Sequence, residues 1–393
     1  MEETKKYKYS SKNEYSEINR GIISKLQEEK ESQQSITYYT INVEYYDEYD
    51  MHYLTIPKEY LNQIDDLRKK KEDIFAKGKI LTFSDEKNDF TFDAIIDSTE
   101  DIYAYLVPIK EKYRNDYDLT GEYVVNERIG DLTYIRMKDA IREFIKGNCC
   151  SKNLEKYILG EANSNLNNIE LKNIFNYNRY YMAGITNFAE LSNFQETQMK
   201  NIFYNEMNTI QLESKSNKKL ICLIIYAIYQ IRKNPKDKIL VCSSSNNAAD
   251  AISLELLKMK NNISKLNILR IYAKNQEIIK RNKKLNKISF HKLKNKKYDK
   301  KFYDRNDKKD WIIRNHDIII STCVNSYNDD IINYKFPFVI IIDANNSNEH
   351  ENLIPITLHA KHVVLISYEG SDNGEINLYK RMENLYPKNH ITI

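Results

Sequence analysis

The stretch NTIQLESKSNKKLICLIIYAIYQ, Asn208–Gln230, carries the pattern that decides the fold. A short apolar strand is followed by a polar loop, and the apolar run LICLIIYAIY then predicts a buried helix. Lys218 stands where the loop meets the helix. Phosphate-binding loops join a strand to a helix in this order, but they are rich in glycine and this loop contains none. The stretch therefore predicts one unit of an α/β domain and leaves open whether it binds a nucleotide.

The alternation of strand and helix continues toward the end of the chain. KILVCSS is followed by the helical NNAADAISLELLKMK, and HDIIISTC, FPFVIIIDA and KHVVLISY are further apolar strands. Continuous apolar strands separated by helices predict a parallel sheet with helices on both faces. Ligands of such sheets bind at the carboxyl ends of the strands. The candidate site residues are therefore those that follow the strands: Lys218, Ser243 to Asn246, Thr322 and Asp343.

The N-terminal third has a different pattern of apolar and polar residues. Residues 35–130 contain five short β-branched and aromatic runs with polar breaks, which predict a small antiparallel β-barrel. EYLNQIDDLRKKKEDIFAKG within it predicts a helix closed by Gly78. Residues 1–34 read as a polar tail or stalk helix, and residues 131–184 as a helical stalk with stops at Gly147 and Gly160. The α/β domain then occupies residues 185–393.

Composition excludes several classes of protein. The 393 residues are 41% hydrophobic and 30% charged with a net charge of only +4, which fits a globular chain rather than a polycation. The longest apolar run is too short for a bilayer span of roughly 20 residues. Five cysteines without paired spacing predict neither disulfides nor a zinc site, and they favour a reducing cytosolic or nuclear setting, of which the predicted location is the cytoplasm. The histidines show no convergent ligand pattern, and we interpret His291, His316, His350, His359 and His362 as surface or satisfied residues.

Several segments carry a likeness to a known family. They are ILVCSSSNNAADAI, NHDIIISTCVNS, FPFVIIIDANNSNEHENLIPITLHAKHVVLIS and ELSNFQ, with LTIPK and YIRMKDAIREF further upstream. In this order they resemble an up-frameshift-type superfamily 1 RNA helicase, the helicase of nonsense-mediated mRNA decay. The resemblance covers roughly residues 36–393 and implies a RecA-like domain preceded by a β-barrel and a stalk. The family's second RecA-like domain, with its arginine finger, has no counterpart in this sequence.

The resemblance implies a nucleotide site whose residues are largely replaced. Gln195 and Lys218 fall on nucleotide-binding positions, and Asp343 falls on the aspartate that orients a water on Mg²⁺. The replacements are Leu212, Lys215 and Asn217 for glycines, Lys219 for threonine, Ala344 for the catalytic glutamate, and Tyr368 and Ser371 for an Asp and a Gln. Glycines there allow positive φ and let main-chain N–H groups surround phosphate oxygens. The family implies ATP and Mg²⁺, but these residues predict no catalysis and favour the absence of a cofactor.

Two groups of residues are candidates for contact with nucleic acid. In the family, the segment that matches Ser245 and Asn246 contacts the nucleic-acid backbone, although Ser and Asn also cap helices well. We group Thr322, in the separate segment STC, with these two residues. Residues 280–310 contain 14 Lys/Arg against 4 Asp/Glu, and we selected Lys294, Lys296 and Lys297 for contact with phosphates. Interleaved aromatics offer stacking faces for bases: Phe290, Tyr298, Phe302 and Tyr303. The alternative is a solvated insertion, since the family also has a charged helical insertion here.

Three functions follow from these observations. The first is a degenerate, ATPase-inactive helicase-like module that binds single-stranded RNA or a decay or translation-termination factor, without a membrane. The second is the N-terminal half of an ATP-dependent RNA or DNA helicase whose second RecA-like domain is missing or on another chain. The third is a scaffold that uses the barrel as a protein-docking surface.

Overall fold

A computed structural model describes most of the chain, and every structural statement below concerns the residues that it describes. These are residues 8–34, 39–46, 51–62, 64, 74–75, 79–85, 90–109, 118–127, 131–162, 169–176, 197–198, 200–213, 217–260, 266–277, 282–295, 305–370 and 377–393. They form two compact units. One comprises residues 24–132 and 273–281, and the other comprises residues 1–23, 133–272 and 282–393.

The first unit is a closed antiparallel barrel, which confirms the predicted fold. Its strands are β1 (Tyr39–Tyr46), β2 (Met51–Thr55), β3 (Ile80–Asp85), β4 (Phe90–Glu100), β5 (Tyr103–Pro108) and β6 (Gly121–Glu127). They pair in the order β1-β2-β5-β4-β3-β6, and β6 returns to β1. A short helix, α2 (Lys58–Leu61), follows β2. Most of the longer helix predicted to end at Gly78 lies outside the described residues.

Alternate side chains of the strands fill the barrel. Phe83 and Phe92 stack with ring centroids 4.7 Å apart, and Tyr123 packs edge-on against Phe92 at 5.2 Å. Leu81 and Phe83 of β3 are fully buried while their neighbours are half-buried. This period of two places one side of each strand inside the barrel and leaves the other side outside.

The second unit is built on a seven-stranded sheet. Its strands are β7 (Met207–Leu212), β8 (Ile239–Ser243), β9 (Ile268–Arg270), β10 (Ile318–Thr322), β11 (Phe338–Ile342), β12 (His362–Tyr368) and β13 (His390–Thr392). Its helices are α3 (Asp131–Lys146), α4 (Lys152–Leu159), α5 (Ile169–Ile174), α6 (Lys218–Ile231), α7 (Asn246–Lys260), α8 (Phe290–Asn295), α9 (Arg305–Arg314), α10 (Glu349–Ile356) and α11 (Leu378–Leu385). All strand pairs are parallel, in the order β13-β7-β12-β11-β8-β10-β9. The predicted parallel sheet is therefore confirmed.

Both faces of the sheet are covered, as the apolar strands predicted. Ile239 and Val241 of β8 join one core together with most of α6, whereas Leu240 and Cys242 join a second core. Residues of α3, α4, α10 and α11 complete that second core. Such burial on both faces explains why the strands are uniformly apolar rather than alternating.

The helices before the sheet end where the sequence predicts. Gly147 follows α3 with φ +78°, and Gly160 ends α4 in the left-handed region with φ 80°. The N-terminal helix, α1, runs from Lys12 to Gln34, and its Tyr15 contacts the ring of Phe144 with centroids 5.2 Å apart. All five cysteines are free thiols. Among the described residues, no helix has both the length and the apolar character that a membrane crossing requires.

Candidate nucleotide and nucleic-acid site

The parallel register brings most of the predicted site residues to one edge of the sheet. Ser243, the last residue of β8, pairs with Thr322 on one side and with Ile342 on the other. Lys218 follows β7 at the start of α6, and Asp343 follows β11 directly. These residues therefore share the carboxyl edge, where ligands of such sheets bind. Gln195, Lys296 and Lys297 lie outside the described residues, and Lys294 lies on α8.

The end of β7 is tied into the sheet on both sides. Leu212 pairs with Tyr368, and its carbonyl accepts a 2.9 Å hydrogen bond from the Glu369 N–H. The Glu213 N–H donates to the carbonyl of Ile393 at 3.2 Å. Hydrogen-bonding groups at the start of the loop are thus already used within the protein. A phosphate would have to compete for the Glu213 N–H with the main chain of residue 393.

A side chain in place of a glycine is expected either to occupy the phosphate space or to forbid the turn, and Leu212 stands at such a position. The side chain is fully buried and belongs to the core that contains Leu220 and Tyr368. A leucine at this position therefore extends the strand and anchors it in the core.

The start of α6 carries two lysines and no acidic residue. Asn217 is its N-cap with φ −73° and ψ 32° and makes no side-chain capping bond. Lys218 is half-buried and Lys219 is exposed. Positive charge at a helix N-terminus is unfavourable because the unpaired N–H groups already make this end positive. An anion placed here would relieve that repulsion, but the first turn of α6 contains none.

Asp343 lies in a turn of unusual backbone conformation. Its φ of 57° and ψ of 36° place it in the left-handed region, from which the segment Ala344–Asn346 continues as a 3-10 turn. Burial raises the pKa of Tyr368, and the negative charge of Asp343 raises it further. Ala344, which the resemblance aligns with the family's catalytic glutamate, is fully buried in the second core. The described residues contain no group of three His, Cys, Asp or Glu that could hold a metal ion.

Ser245 and Asn246 have structural partners of their own. The Ser245 Oγ accepts the Ala248 N–H at 3.2 Å and so caps α7. Asn246 Oδ1 accepts a 2.8 Å bond from Arg270 Nη2, and Asp250 Oδ1 accepts another from Arg270 Nε at 2.8 Å. Thr322 is half-buried at the end of β10. The segment thus both anchors a buried arginine and presents an exposed serine at the carboxyl edge.

Sequence reasoning did not find Arg270 as the organising residue of this segment. Arg270 is 0% exposed, and its guanidinium lies over the Tyr272 ring at 4.0 Å. The signal was a single charged residue, an arginine, in the mostly apolar LNILRIYA, because a charge inside a sheet requires a buried partner. Asp250 supplies it, and this role accounts for an aspartate four residues after Asn246 on α7.

The lysine-rich residues 280–310 are described over 282–295 and 305–310, and the side chains of 282–295 are divided between core and surface. Phe290 is 1% exposed, so the prediction that it offers a stacking face for bases was wrong. Its ring is packed in the second core, and Lys294 lies with Nζ 5.7 Å from the ring centroid. The exposed lysines of residues 282–295 are Lys283, Lys284, Lys287 and Lys292, none of which was selected from the sequence. Tyr298, Phe302 and Tyr303 lie outside the described residues.

A cleft elsewhere in this unit has its charges internally matched. It measures about 560 Å³ and is lined by Lys309, Asp310, Arg314, Asp329, Asp330, Asn333, Tyr334 and Lys335. Lys309 pairs with Asp330 at 2.9 Å, and Arg314 pairs with Asp310 at 2.6 Å. These pairs leave little net charge to attract a ligand, so the carboxyl edge remains the better candidate site.

Substitution of Ser245 separates helix capping from RNA contact. Ser245→Ala is expected to lower the free energy of unfolding by about 1 kcal/mol because one N–H of α7 loses its cap. Ser245→Asp retains the cap but adds a negative charge that would repel a nearby phosphate. Urea denaturation measures the stability of both variants, and RNA titration measures their affinity, each against the unmodified chain. If Ser245→Asp binds RNA as the unmodified chain does, Ser245 only caps the helix.

Comparison with known proteins agrees with this architecture. Residues 191–310 and 279–366 match a family described as an AAA domain. The ATP-dependent helicase NAM7 of Saccharomyces cerevisiae is 28% identical over 258 residues, which are 60% of this chain and 25% of that protein. The regulator of nonsense transcripts 1 homologue of Arabidopsis thaliana is 24% identical over 206 residues, 47% of this chain and 16% of that protein.

A third relative extends the comparison to another lineage. The regulator of nonsense transcripts 1 of Dictyostelium discoideum is 24% identical over 207 residues, 46% of this chain and 15% of that protein. The aligned part of the chain thus spans a quarter or less of the length of these relatives. Together with the barrel and the parallel sheet, these similarities show that the chain resembles the barrel and first RecA-like domain of an up-frameshift-type superfamily 1 helicase.

Proposed function

We propose that this chain is an ATPase-inactive, helicase-like module that binds single-stranded RNA in the cytoplasm. The observation that carries the proposal is the burial of three side chains at nucleotide-motif positions. Leu212, Ala344 and Tyr368 are 0%, 0% and 6% exposed, and each is packed in a hydrophobic core. Side chains that stabilise the cores have replaced groups that would face a nucleotide.

The residues around Lys218 and Asp343 fit Mg²⁺ and ATP poorly. In P-loop proteins a Ser or Thr hydroxyl and an aspartate hold Mg²⁺ while main-chain N–H groups surround the phosphates. Lys219 offers no hydroxyl, and the Glu213 N–H is hydrogen-bonded to Ile393. The two retained residues, Lys218 and Asp343, supply only one positive and one negative charge toward a nucleotide and its metal ion. These residues therefore do not support hydrolysis of ATP by this chain.

RNA binding is supported by charge at the surface. Lys283, Lys284, Lys287 and Lys292 are exposed within a span of ten residues. Lysines that neutralise phosphates release counterions, which makes affinity fall as salt rises. Because Phe290 and its apolar neighbours are buried, this surface offers charge rather than stacked rings. The proposed contact is accordingly to the phosphate backbone and independent of sequence.

The nucleotide part of the proposal is tested by calorimetric titration of the full chain with ATP, with and without Mg²⁺. We expect no saturable binding up to millimolar ATP and no hydrolysis above background. Lys218→Ala serves as the matched control and should behave as the unmodified chain does. Micromolar affinity that disappears in Lys218→Ala would contradict the proposal.

The RNA part is tested by fluorescence anisotropy with labelled oligo-uridine over a range of salt. Replacing Lys283, Lys284, Lys287 and Lys292 with Gln should reduce the slope of log K against log salt by about 3, since each contact with a single strand contributes about 0.7. A matched control replaces four exposed lysines at the opposite, amino edge of the sheet. They are Lys233, Lys236, Lys361 and Lys388. Equal losses in both variants would mean that only overall charge attracts RNA.

Similarity to an ATP-dependent helicase favours one alternative. In that alternative this chain, which is 28% identical to NAM7 over 258 residues, is the N-terminal half of an ATP-dependent helicase. That arrangement still requires a nucleotide between the two RecA-like domains, since the arginine finger comes from the far side. The ATP titration distinguishes the two proposals. Half of an ATP-dependent helicase needs nucleotide affinity at Lys218, whereas the ATPase-inactive module has none.

A further inference from the structure

The charged lysine, arginine, aspartate and glutamate positions of the barrel strands are all acidic. Their 43 residues contain no lysine or arginine, although Lys and Arg make up 60 of the 393 residues of the chain. They contain seven acidic residues: Glu44, Asp85, Asp93, Asp97, Glu100, Glu122 and Glu127. Residues 35–130 as a whole have 12 Lys/Arg against 21 Asp/Glu, a net charge of −9. Since the complete chain is at +4, the barrel is its acidic part.

A row of tyrosines crosses the outer surface of this acidic barrel. On β2 and β5, His52, Leu54, Ala104 and Leu106 are buried, so Tyr53, Tyr103 and Tyr105 point outward. The ring centroids of Tyr46 and Tyr53 are 6.2 Å apart, and those of Tyr53 and Tyr103 are 5.5 Å apart. Tyr46 and Tyr103 are 37% and 39% exposed. We call Tyr46, Tyr53, Tyr103 and Tyr105 the tyrosine row.

Two carboxylates flank the tyrosine row. Glu44 on β1 pairs in register with Tyr53, and its carboxylate accepts a hydrogen bond from the Tyr53 hydroxyl. Glu100 on β4 pairs in register with Tyr103. Both glutamates are exposed. The hydrogen bond to Glu44 raises the pKa of Tyr53 to about 12, so the row stays neutral and its negative charge comes from the carboxylates.

We propose that the outer face of β1, β2 and β5 is a docking surface for an arginine- or lysine-containing, extended segment of a partner protein. Aromatic rings attract cations placed over their faces, and arginine stacks on them especially well. Glu44 and Glu100 add charge attraction at the two sides of the row. Edge-to-face contacts at 79° and 83° between the rings hold the row in place before a partner arrives.

The same charges argue against nucleic acid on this face. Aromatic rows also stack unpaired bases, but such sites combine the rings with a positive groove that follows the phosphates. The barrel strands offer seven carboxylates and no cation. A phosphate backbone would be repelled here, whereas a basic peptide would be attracted. This inference is independent of the RNA contact proposed for the lysines of residues 282–295.

The test is fluorescence anisotropy of the full chain with a labelled peptide of alternating arginine and glycine. We expect saturable binding that is weakened about tenfold by Tyr53→Ala/Tyr103→Ala, because two ring faces are lost. Glu44→Gln should weaken it by about twofold to threefold and reduce its salt dependence. Tyr53→Phe/Tyr103→Phe keeps the rings and should bind nearly as the unmodified chain does, which separates contact with the rings from contact with the hydroxyls, while far-UV circular dichroism checks that the alanine variant is folded.

Tyr204→Ala is the matched control, because Tyr204 is 51% exposed and lies in the other unit. It should leave peptide affinity unchanged. Absence of saturable peptide binding, or equal affinity for the unmodified chain and Tyr53→Ala/Tyr103→Ala, would overturn the proposal. Weakened oligo-uridine binding in Tyr53→Ala/Tyr103→Ala would also overturn it, since the face would then bind nucleic acid.

Discussion

Lowering the pH from 7 to 5 is expected to reduce the free energy of unfolding of the sheet unit by about 4 kcal/mol through two histidines. Burial lowers the pKa of His350 to about 4 and that of His362 to about 4. In the unfolded chain both titrate near pH 6.5. At pH 5 the unfolded chain therefore binds protons that the folded unit excludes.

His362 shows why the folded state excludes the proton. The residue is 0% exposed at the start of β12, and Nε2 donates to the Ile202 carbonyl at 2.8 Å. The ring packs edge-on against Phe175 with centroids 5.0 Å apart. Its Nδ1 has no hydrogen-bond partner among the described residues. Protonation would place a charged N–H against apolar neighbours, which is unfavourable at low dielectric.

His350 is held in a similar way on α10. Its Nε2 donates to Asn19 Oδ1 at 2.8 Å, and its side chain is 3% exposed. Burial lowers its pKa, and the neighbouring Glu349 carboxylate raises it only in part. The neutral ring is thus a link between α10 and α1. Protonation would weaken that link as well as the local packing.

The direction of the effect follows from the two pKa values of each ring. Because the folded value is lower than the unfolded one, the stabilisation is complete above about pH 6.5 and is lost as pH falls toward 4. At pH 5 each histidine therefore lowers the free energy of unfolding by about 2 kcal/mol relative to its value at pH 7. Urea denaturation at pH 7 and pH 5 measures the change directly.

Glutamine variants isolate the histidines from other titrating groups. His350→Gln/His362→Gln retains side-chain N–H donors but cannot be protonated. Its stability should change between pH 7 and pH 5 by about 4 kcal/mol less than that of the unmodified chain. Parallel pH dependence in the two proteins would show that the rings are already protonated, or accessible to water, in the folded state.

Most of the fold could be predicted from the sequence because long apolar strands leave few alternatives. FPFVIIIDA and KHVVLISY became the central strands β11 and β12, each buried on both faces. β13, His390–Thr392, was missed because three residues carry too little pattern to indicate a strand. His362 was interpreted as surface or satisfied, and the structure shows it fully buried with Nε2 hydrogen-bonded to the Ile202 carbonyl. Its position next to the run VVLIS was the available signal.

The site was less predictable because the same residue types serve two purposes. Ser245 and Asn246 suit both backbone contact with nucleic acid and helix capping, and only the structure shows the partners Ala248 and Arg270. Loss of glycine predicts loss of a phosphate loop, but not that Leu212 would extend the strand. Phe290 lies within a lysine-rich segment, and its burial depends on distant residues that the local sequence does not reveal.

Arg381→Met is expected to lower the free energy of unfolding by about 3–5 kcal/mol, since it removes one partner of a buried ion pair. Arg381 on α11 is 0% exposed and forms a two-pronged pair with Glu349 on α10, with Nε to Oε2 at 3.0 Å and Nη2 to Oε1 at 2.6 Å. The Tyr15 hydroxyl of α1 donates to Glu349 Oε1 at 3.0 Å. Three helices therefore converge on one carboxylate.

Removing the arginine leaves this carboxylate buried without its cation, whereas removing both charges does not. Arg381→Met/Glu349→Leu should therefore recover to within about 1–2 kcal/mol of the unmodified chain, leaving mainly the unpaired Tyr15 hydroxyl. Lys380→Met, on the same helix, breaks a half-exposed pair with Glu383 at 3.6 Å and should change stability by less than about 0.5 kcal/mol. Urea denaturation monitored by far-UV circular dichroism measures the free energy of unfolding of these three variants and of the unmodified chain. A loss of under 1 kcal/mol in Arg381→Met would mean that water reaches Glu349, and that α1 is not held to α10 and α11 by this pair.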